Sequence, residues 1–350
     1  MTLRTVLAMV ALALVSGCAT APPPTATTFY PDPPETPRIQ YVTTLNGQED
    51  LRPTSAFRKF VVGGPRAGAA LSRPWDVAHR PGRLYVIDKG LGGVLIFDLE
   101  NKAVTALPDP KGLLAEPSGI FIDGDGNKYV ADAGREAVLV FDRDDGYLRS
   151  YGKEGEFRPT DVAVFGDKIY VCDVRDEEVE VLDRKSGRSL GRIGRKGNEP
   201  GQFRFPTHLS LSDDGGLFVT DLLNFRVQQF DADGRFVKAI GEWGDFPGAM
   251  PRPKGIAVDR DGHLYAADAA FEMIQVFDVE SARVLLPFAK FGPIGGSYLP
   301  SGVHIDYDNV GYFADRIHPD FDARYLIYVT NQAGAAKVNV YAFGEWTGGP

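Results

Sequence analysis

Six times along this chain a proline is followed by a small or polar pair and then an apolar strand, and no other feature restricts its fold as much. The six segments begin Pro74-Trp-Asp-Val-Ala, Pro117-Ser-Gly-Ile-Phe, Pro159-Thr-Asp-Val-Ala, Pro206-Thr-His-Leu-Ser, Pro253-Lys-Gly-Ile-Ala and Pro300-Ser-Gly-Val-His. Their spacings are 43, 42, 47, 47 and 47 residues. In the first five, a second strand ends in aspartate (Asp88, Asp132, Asp173, Asp221, Asp268), and a third strand ends in another (Asp98, Asp142, Asp183, Asp231, Asp278). The most regular copy, 206–241, reads as four short strands at 209–211, 217–220, 227–230 and 236–240. The breaks between them are Asp- and Gly-rich, as tight antiparallel hairpins require.

Four strands in some 36 residues form an up-and-down sheet with two apolar faces, which needs neighbours to cover it. Six such units in series predict an all-β, six-bladed β-propeller of four-stranded antiparallel blades. The 40 glycines and 25 prolines fit a turn-rich β protein. The sixth unit departs from the pattern. Its second strand fits 326–330 and its third 337–343, which makes 308–324 an insertion, and the chain then ends without a fourth strand. An isolated strand at 38–45 has no other sheet to join. It is expected to be the outer strand of the last blade and to close the ring, which removes unpaired edges.

The pattern Pro-x-Gly/Asp-Ile/Val-x-Val-Asp, then Gly-x-Leu-Tyr-Val-x-Asp, then Val-x-x-Phe-Asp resembles the NHL repeat, and six copies resemble a six-bladed NHL propeller over 38–350. That resemblance specifies the fold well and the function poorly, because propellers host many functions.

The N-terminus speaks to compartment. A short basic start, an apolar run at 6–15 and Val15-Ser16-Gly17-Cys18 resemble the signal peptide and lipobox of bacterial lipoproteins. The resemblance implies cleavage after residue 17 and an acylated Cys18 anchored in a lipid bilayer of the cell envelope. Ala19 in place of aspartate points to the outer membrane. Residues 18–37, rich in proline and threonine, are expected to form an extended tether reaching roughly 50–60 Å. Net charge of −9 disfavours nucleic acid as a partner. Cys172, the only other cysteine, reads as a small buried hydrophobe, and no Cys-x-x-Cys-His haem motif is present.

Chemistry is sparse. The repeated aspartate at the second strand's end reads as a structural acceptor for loop N–H groups. The residue two after each blade proline should face the channel, giving Asp76, Gly119, Asp161, His208, Gly255 and Gly302, with Lys254 beside them. Asp76, Asp161, His208 and Lys254 are the candidate ligand site at a solvated channel rim. Amidating-lyase propellers, which this chain resembles in its repeat, carry histidine metal ligands directly after the proline, and that slot holds no histidine here. No cofactor is expected, and no nucleophile elbow or phosphate loop appears. The insertion gathers Tyr312, Phe313, Arg316, His318, Phe321 and Arg324, a composition enriched at interfaces, which makes it the candidate partner site; the other reading is that its aromatics fold back over the channel as a plug or pack on the rim. The sequence thus favours a membrane-anchored binding or scaffold propeller with a protein partner. The alternative is a hydrolase or lyase with a cation in the channel.

Overall fold

The computed structural model describes residues 27–51, 69–109, 111–152 and 155–348, and arranges six antiparallel sheets as a six-bladed β-propeller. Blades one to five hold four strands each in chain order. Blade four, for example, is Pro206–Leu211, Leu217–Asp221, Arg226–Phe230 and Phe236–Ile240. The first strand of each blade is innermost. These strands touch in succession around the axis, and Pro300–Asp306 of blade six abuts Pro74–Arg80 of blade one, so the ring is closed.

The repeated proline and aspartate are partners. Pro74 sits opposite Asp88, Pro117 opposite Asp132, Pro159 opposite Asp173, Pro206 opposite Asp221 and Pro253 opposite Asp268, with a register shift just after each proline. Proline has no N–H to give a ladder, so it belongs at a strand's first residue. The aspartate accepts from the loops on either side. Asp88 takes the N–H groups of Ser72 and Arg73 at 2.6 and 2.9 Å, and those of Gly90 and Leu91 at 2.8 and 3.1 Å. Asp132 and Asp268 repeat the arrangement. In blade six Asn331 replaces the aspartate opposite Pro300 and accepts from the Tyr298 N–H at 3.0 Å.

Each seam between blades holds its own apolar cluster, because alternate strand residues face opposite ways. In Lys168–Asp173, Ile169 and Val171 face blade two while Tyr170 and the buried Cys172 face blade four. The seam between blades six and one is the largest, with eighteen buried apolar residues against eight between blades four and five. The excess comes from segments outside the repeat. Ile39–Leu45 pairs with Val338–Trp346, which pairs with Phe321–Asn331, so the chain's N-terminal side supplies the outer strand of the last blade.

A further strand lies outside it. Phe29–Tyr30 pairs with Ile39–Leu45, Phe29 is buried in the six–one seam, and Tyr30 donates to the Gly295 carbonyl at 3.2 Å. The expected tether is therefore docked on the disc from Phe29 onward. Cys18 and the signal-like segment lie outside the described residues.

The insertion packs on the propeller itself, one of the two readings its composition allowed. Val310–Arg316 is a 3-10 turn, and Phe313 and Phe321 are buried in the six–one seam. His318 packs against Phe29 and Trp346. Arg316 donates to Thr43 Oγ1 at 2.9 Å and to the Asp50 carbonyl at 3.1 Å. Gln40 bonds both the Arg316 carbonyl and the His318 N–H, at 2.9 Å each. Arg324 is held by Asp261 at 2.8 Å, which leaves Tyr312 as the exposed aromatic of the group. The physical reason is area: the aromatics gain more by covering an unfilled seam than by facing water.

Candidate functional site: the central channel

The register shift after each blade proline turns the next residues into the channel. At its narrowest level stand Asp76, Gly119, Asp161, His208, Gly255 and Gly302. A Cβ added at Gly119 would lie 2.3 Å from an Asp161 carboxylate oxygen, one at Gly255 2.3 Å from the Ser301 carbonyl, and one at Gly302 2.7 Å from Asp76. Glycine here is a requirement of close approach. Asp76 and Asp161 are not solvated rim groups, as expected from sequence, but buried braces. Asp76 accepts from the Ile120 N–H of blade two at 2.9 Å, and Asp161 from the Leu209 N–H of blade four at 2.7 Å and from Val162 at 2.8 Å. Burial raises both carboxyl groups above the usual carboxylate range, and Asp76 adds to the rise at Asp161. With His208 they do not form one of the groups whose ligand atoms all lie within 4.8 Å among the described residues. At this level, therefore, the three side chains that the alternative reading would give to a cation do not converge among the described residues.

His208 separates the two halves of the channel, lining the cavities on both sides. It is 3% exposed, its Nδ1 lies 3.0 Å from Thr207 Oγ1, and its Nε2 has no hydrogen-bond partner. Burial, reinforced by Lys254 and Lys89, pushes its pKa down to about 3, so the imidazole is neutral at physiological pH.

The upper half, at the end where the innermost strands begin, is a cavity of about 420 Å³ whose walls include Trp75, Lys89, Glu116, Arg158, Phe205 and Lys254. Lys89 Nζ lies 3.7 Å and Lys254 Nζ 5.3 Å from the Trp75 ring centroid. Among the described residues neither ammonium has a carboxylate or other hydrogen-bond partner. Burial, with Arg252 and Lys89 nearby, holds Lys254 down to about 8. Arg158 reaches Glu116 only at 3.9 Å, and Arg175 pairs with Glu136. The lining thus sets four cationic side chains against Glu116 in a chain of net charge −9. Loops of the same face carry the exposed apolar residues Leu91, Phe205, Leu223, Trp243, Phe291 and Ile294. Sequence reasoning named Lys254 but missed Lys89, Arg158 and this rim. Lys89 follows Asp88 and Arg158 precedes Pro159, places that recur in every blade, but the residue types there change from blade to blade (Lys89, Ala133, Val174; Glu116, Arg158, Phe205), so no repeated charge marks the mouth.

The lower half is a cavity of about 200 Å³ with walls such as Val77, Ile120, Val162 and Leu209, and it contains His79 and His304. The two histidines look scattered in sequence, yet His79 Nδ1 lies 2.7 Å from His304 Nε2. A signal was available: they stand five and four residues after the prolines of blades one and six, which ring closure makes neighbours.

The slot after each proline, where the resemblance to amidating lyases implies metal-binding histidines, holds Trp75, Ser118, Thr160, Thr207, Lys254 and Ser301. A site walled by free ammonium groups and hydroxyls does not fit a divalent cation.

No protein-family profile matches the chain. In sequence it is 29% identical over 181 residues to peptidyl-glycine alpha-amidating monooxygenase of Mus musculus, covering 45% of this chain and 18% of that protein. It is also 29% identical over 199 residues to a probable peptidyl-alpha-hydroxyglycine alpha-amidating lyase of Caenorhabditis elegans, covering 48% and 56%. The chain spans about half the length of the second relative and less of the first. In structure it is similar to a gluconolactonase of Xanthomonas campestris, with TM-score 0.57 and 17% identity over 87% of this chain and 98% of that one. It is likewise similar to virginiamycin B lyase of Staphylococcus aureus, with TM-score 0.53 and 11% identity over 78% and 95%. At such identities the likeness is one of fold. The chain is a six-bladed β-propeller, and its chemistry has to be read from its own channel.

Proposed function

We propose that this chain is a lipid-anchored binding propeller of the bacterial cell envelope, and that it captures an anionic group of a protein partner in the upper mouth of its channel. The observation that carries this reading is the pair Lys89 and Lys254, which share the Trp75 ring inside a cavity and, among the described residues, make no ion pair or hydrogen bond. Two desolvated ammonium groups repel each other, and an incoming carboxylate or phosphate relieves that repulsion. The apolar rim around the mouth supplies contact area, in the pattern of aromatic and cationic anchors ringed by looser contacts. Anchoring rests on the lipobox resemblance at Cys18 and puts the disc at a membrane surface, the outer membrane by the residue at position 19.

The test is a photo-reactive residue placed in turn at Trp243 and at Phe165, on opposite faces of the disc, in native envelopes. A discrete adduct from Trp243 that disappears in the Lys89→Met/Lys254→Met variant supports the reading. An adduct from Phe165 alone, or one indifferent to the two lysines, overturns it.

A second reading, a channel lyase or hydrolase, draws on the sequence similarity to amidating enzymes. Turnover of an α-hydroxyglycyl peptide by the purified chain, lost in Lys254→Met, would put that reading first.

A further inference from the structure

We propose that His79, Asp306 and Asp308 hold a divalent transition-metal ion of the zinc type at the lower mouth of the channel, where it fastens blade six to blade one. His79 belongs to the innermost strand of blade one, and the two aspartates end the innermost strand of blade six and begin its insertion. His79 Nε2 lies 3.1 Å from Asp306 Oδ1 and 3.2 Å from Asp308 Oδ2, and the three ligand atoms lie mutually within 4.8 Å. Ligands held at about 2.0–2.2 Å from one ion, with angles near tetrahedral or octahedral values, stand about 3.0–3.4 Å apart, so the histidine already sits at coordination distance from both carboxylates. One imidazole and two carboxylates suit a borderline cation better than calcium or magnesium.

The surroundings are built to hold that geometry. The other ring nitrogen of His79 contacts His304 Nε2 at 2.7 Å, the kind of outer contact that fixes the orientation of a ligating imidazole. Asp306 is locked in place. Its Oδ1 accepts from the N–H groups of Asp308 and Asn309 at 2.8 and 3.0 Å, and its Oδ2 from Asn309 Nδ2 at 2.7 Å and from the Tyr328 hydroxyl at 2.9 Å. Asp308 is half-exposed and, with His79, lines a cleft of about 450 Å³, which gives an ion a way in and leaves its remaining positions to water.

Charge separates this cluster from its two look-alikes. Asp259, Asp261 and His263 converge similarly, but the Arg324 guanidinium is 2.8 Å from Asp261. Asp173, Asp176 and Glu178 have Arg192 at 3.1 Å from Glu178. Among the described residues neither Asp306 nor Asp308 pairs with any lysine or arginine. Two carboxylates facing one imidazole without a guanidinium call for a cation, and a divalent ion balances both charges.

The full chain, purified in detergent and stripped with a chelator, should be titrated with Zn²⁺ by calorimetry and by thermal unfolding. One ion per chain should bind in the micromolar range or tighter, and a hundredfold excess over Kd should raise the unfolding midpoint by about 4 °C. Asp308→Asn, at a half-exposed position, should weaken binding about tenfold or more and remove the rise, whereas Asp261→Asn should leave both unchanged. Co²⁺ should give a visible absorption band that Asp308→Asn abolishes. Binding no tighter than millimolar, or binding that survives both Asp308→Asn and His79→Gln, overturns the proposal.

Discussion

The two mouths of the channel belong to the same six strands, yet they are chemically opposite. The upper one is set by the first residues of the innermost strands and the loops beside them: two ammonium groups on a tryptophan, two guanidinium groups, one carboxylate and an exposed apolar rim. The lower one is set by strand residues: apolar walls, two imidazoles in contact, and carboxylates locked by backbone N–H groups. Between them lies a neck in which glycines and two buried aspartates leave little room. The difference teaches where to look for each kind of effect. Changes at the lower mouth and its seam should act on stability, and changes at the upper mouth on capture.

The strongest attempt to break this division is removal of Ile39–Leu45. That leaves Val338–Trp346 without its outer partner and uncovers the largest apolar seam. Cooperative unfolding should shift down by well over 10 °C or vanish; an unchanged melting curve would remove closure from the account. A milder probe of the same side is Phe321→Ala, expected to cost about 3–5 kcal/mol by chemical denaturation while capture at 20 °C persists. Loss of capture in a variant that is still folded would restore the insertion as a partner site. Next in size, Lys89→Met/Lys254→Met should weaken capture by about 3 kcal/mol, more than hundredfold, with the midpoint unchanged or raised.

Capture should also depend on pH in a stated direction. Lys254 is held down to about 8, so below that pH it is charged and attracts the anion, and affinity should fall as pH rises through 8. A flat profile from pH 7 to 9 would mean that Lys254 does not meet the anion.

The smallest effect is at the neck. The folded-state pKa of Asp161 is raised by burial, so its contribution to stability is fully present below the ordinary carboxylate range and is lost as pH rises through the folded value. Asp161→Asn, which keeps an acceptor for the Leu209 N–H, should flatten the decline in melting temperature from acidic to alkaline pH. A decline as steep as that of the parent chain would assign it to other groups.

Much of this was legible from the residues. Pro206 and Asp221 lie fifteen positions apart and meet within one blade, as do their counterparts, so a repeat in sequence maps directly onto a repeat in space. The closing strand was legible too, because an apolar segment with no sheet of its own needs an edge. The insertion stayed open between two readings for a physical reason: Tyr312, Phe313 and Phe321 have the same composition whether they face a partner or a seam, and the seam is visible only once Phe29 and Leu45 are beside them. The upper mouth was hard to read because its places recur but its side chains do not: the residue after the blade aspartate is Lys89, Ala133 or Val174, and the residue before the proline is Glu116, Arg158 or Phe205.

By itself, then, the sequence determined the blade, the number of blades and the way the ring closes, since each follows from contacts within one repeat or from a strand lacking a partner. Only the tertiary structure decided which residues share a mouth. His79 and His304 are 225 positions apart, and Lys89 and Lys254 stand in different blades, yet both pairs are neighbours once six sheets pack around an axis. Closing the ring converts equivalent places in successive repeats into a common wall. The chemistry of that wall depends on which side chains happen to occupy those places, a quantity no single repeat contains.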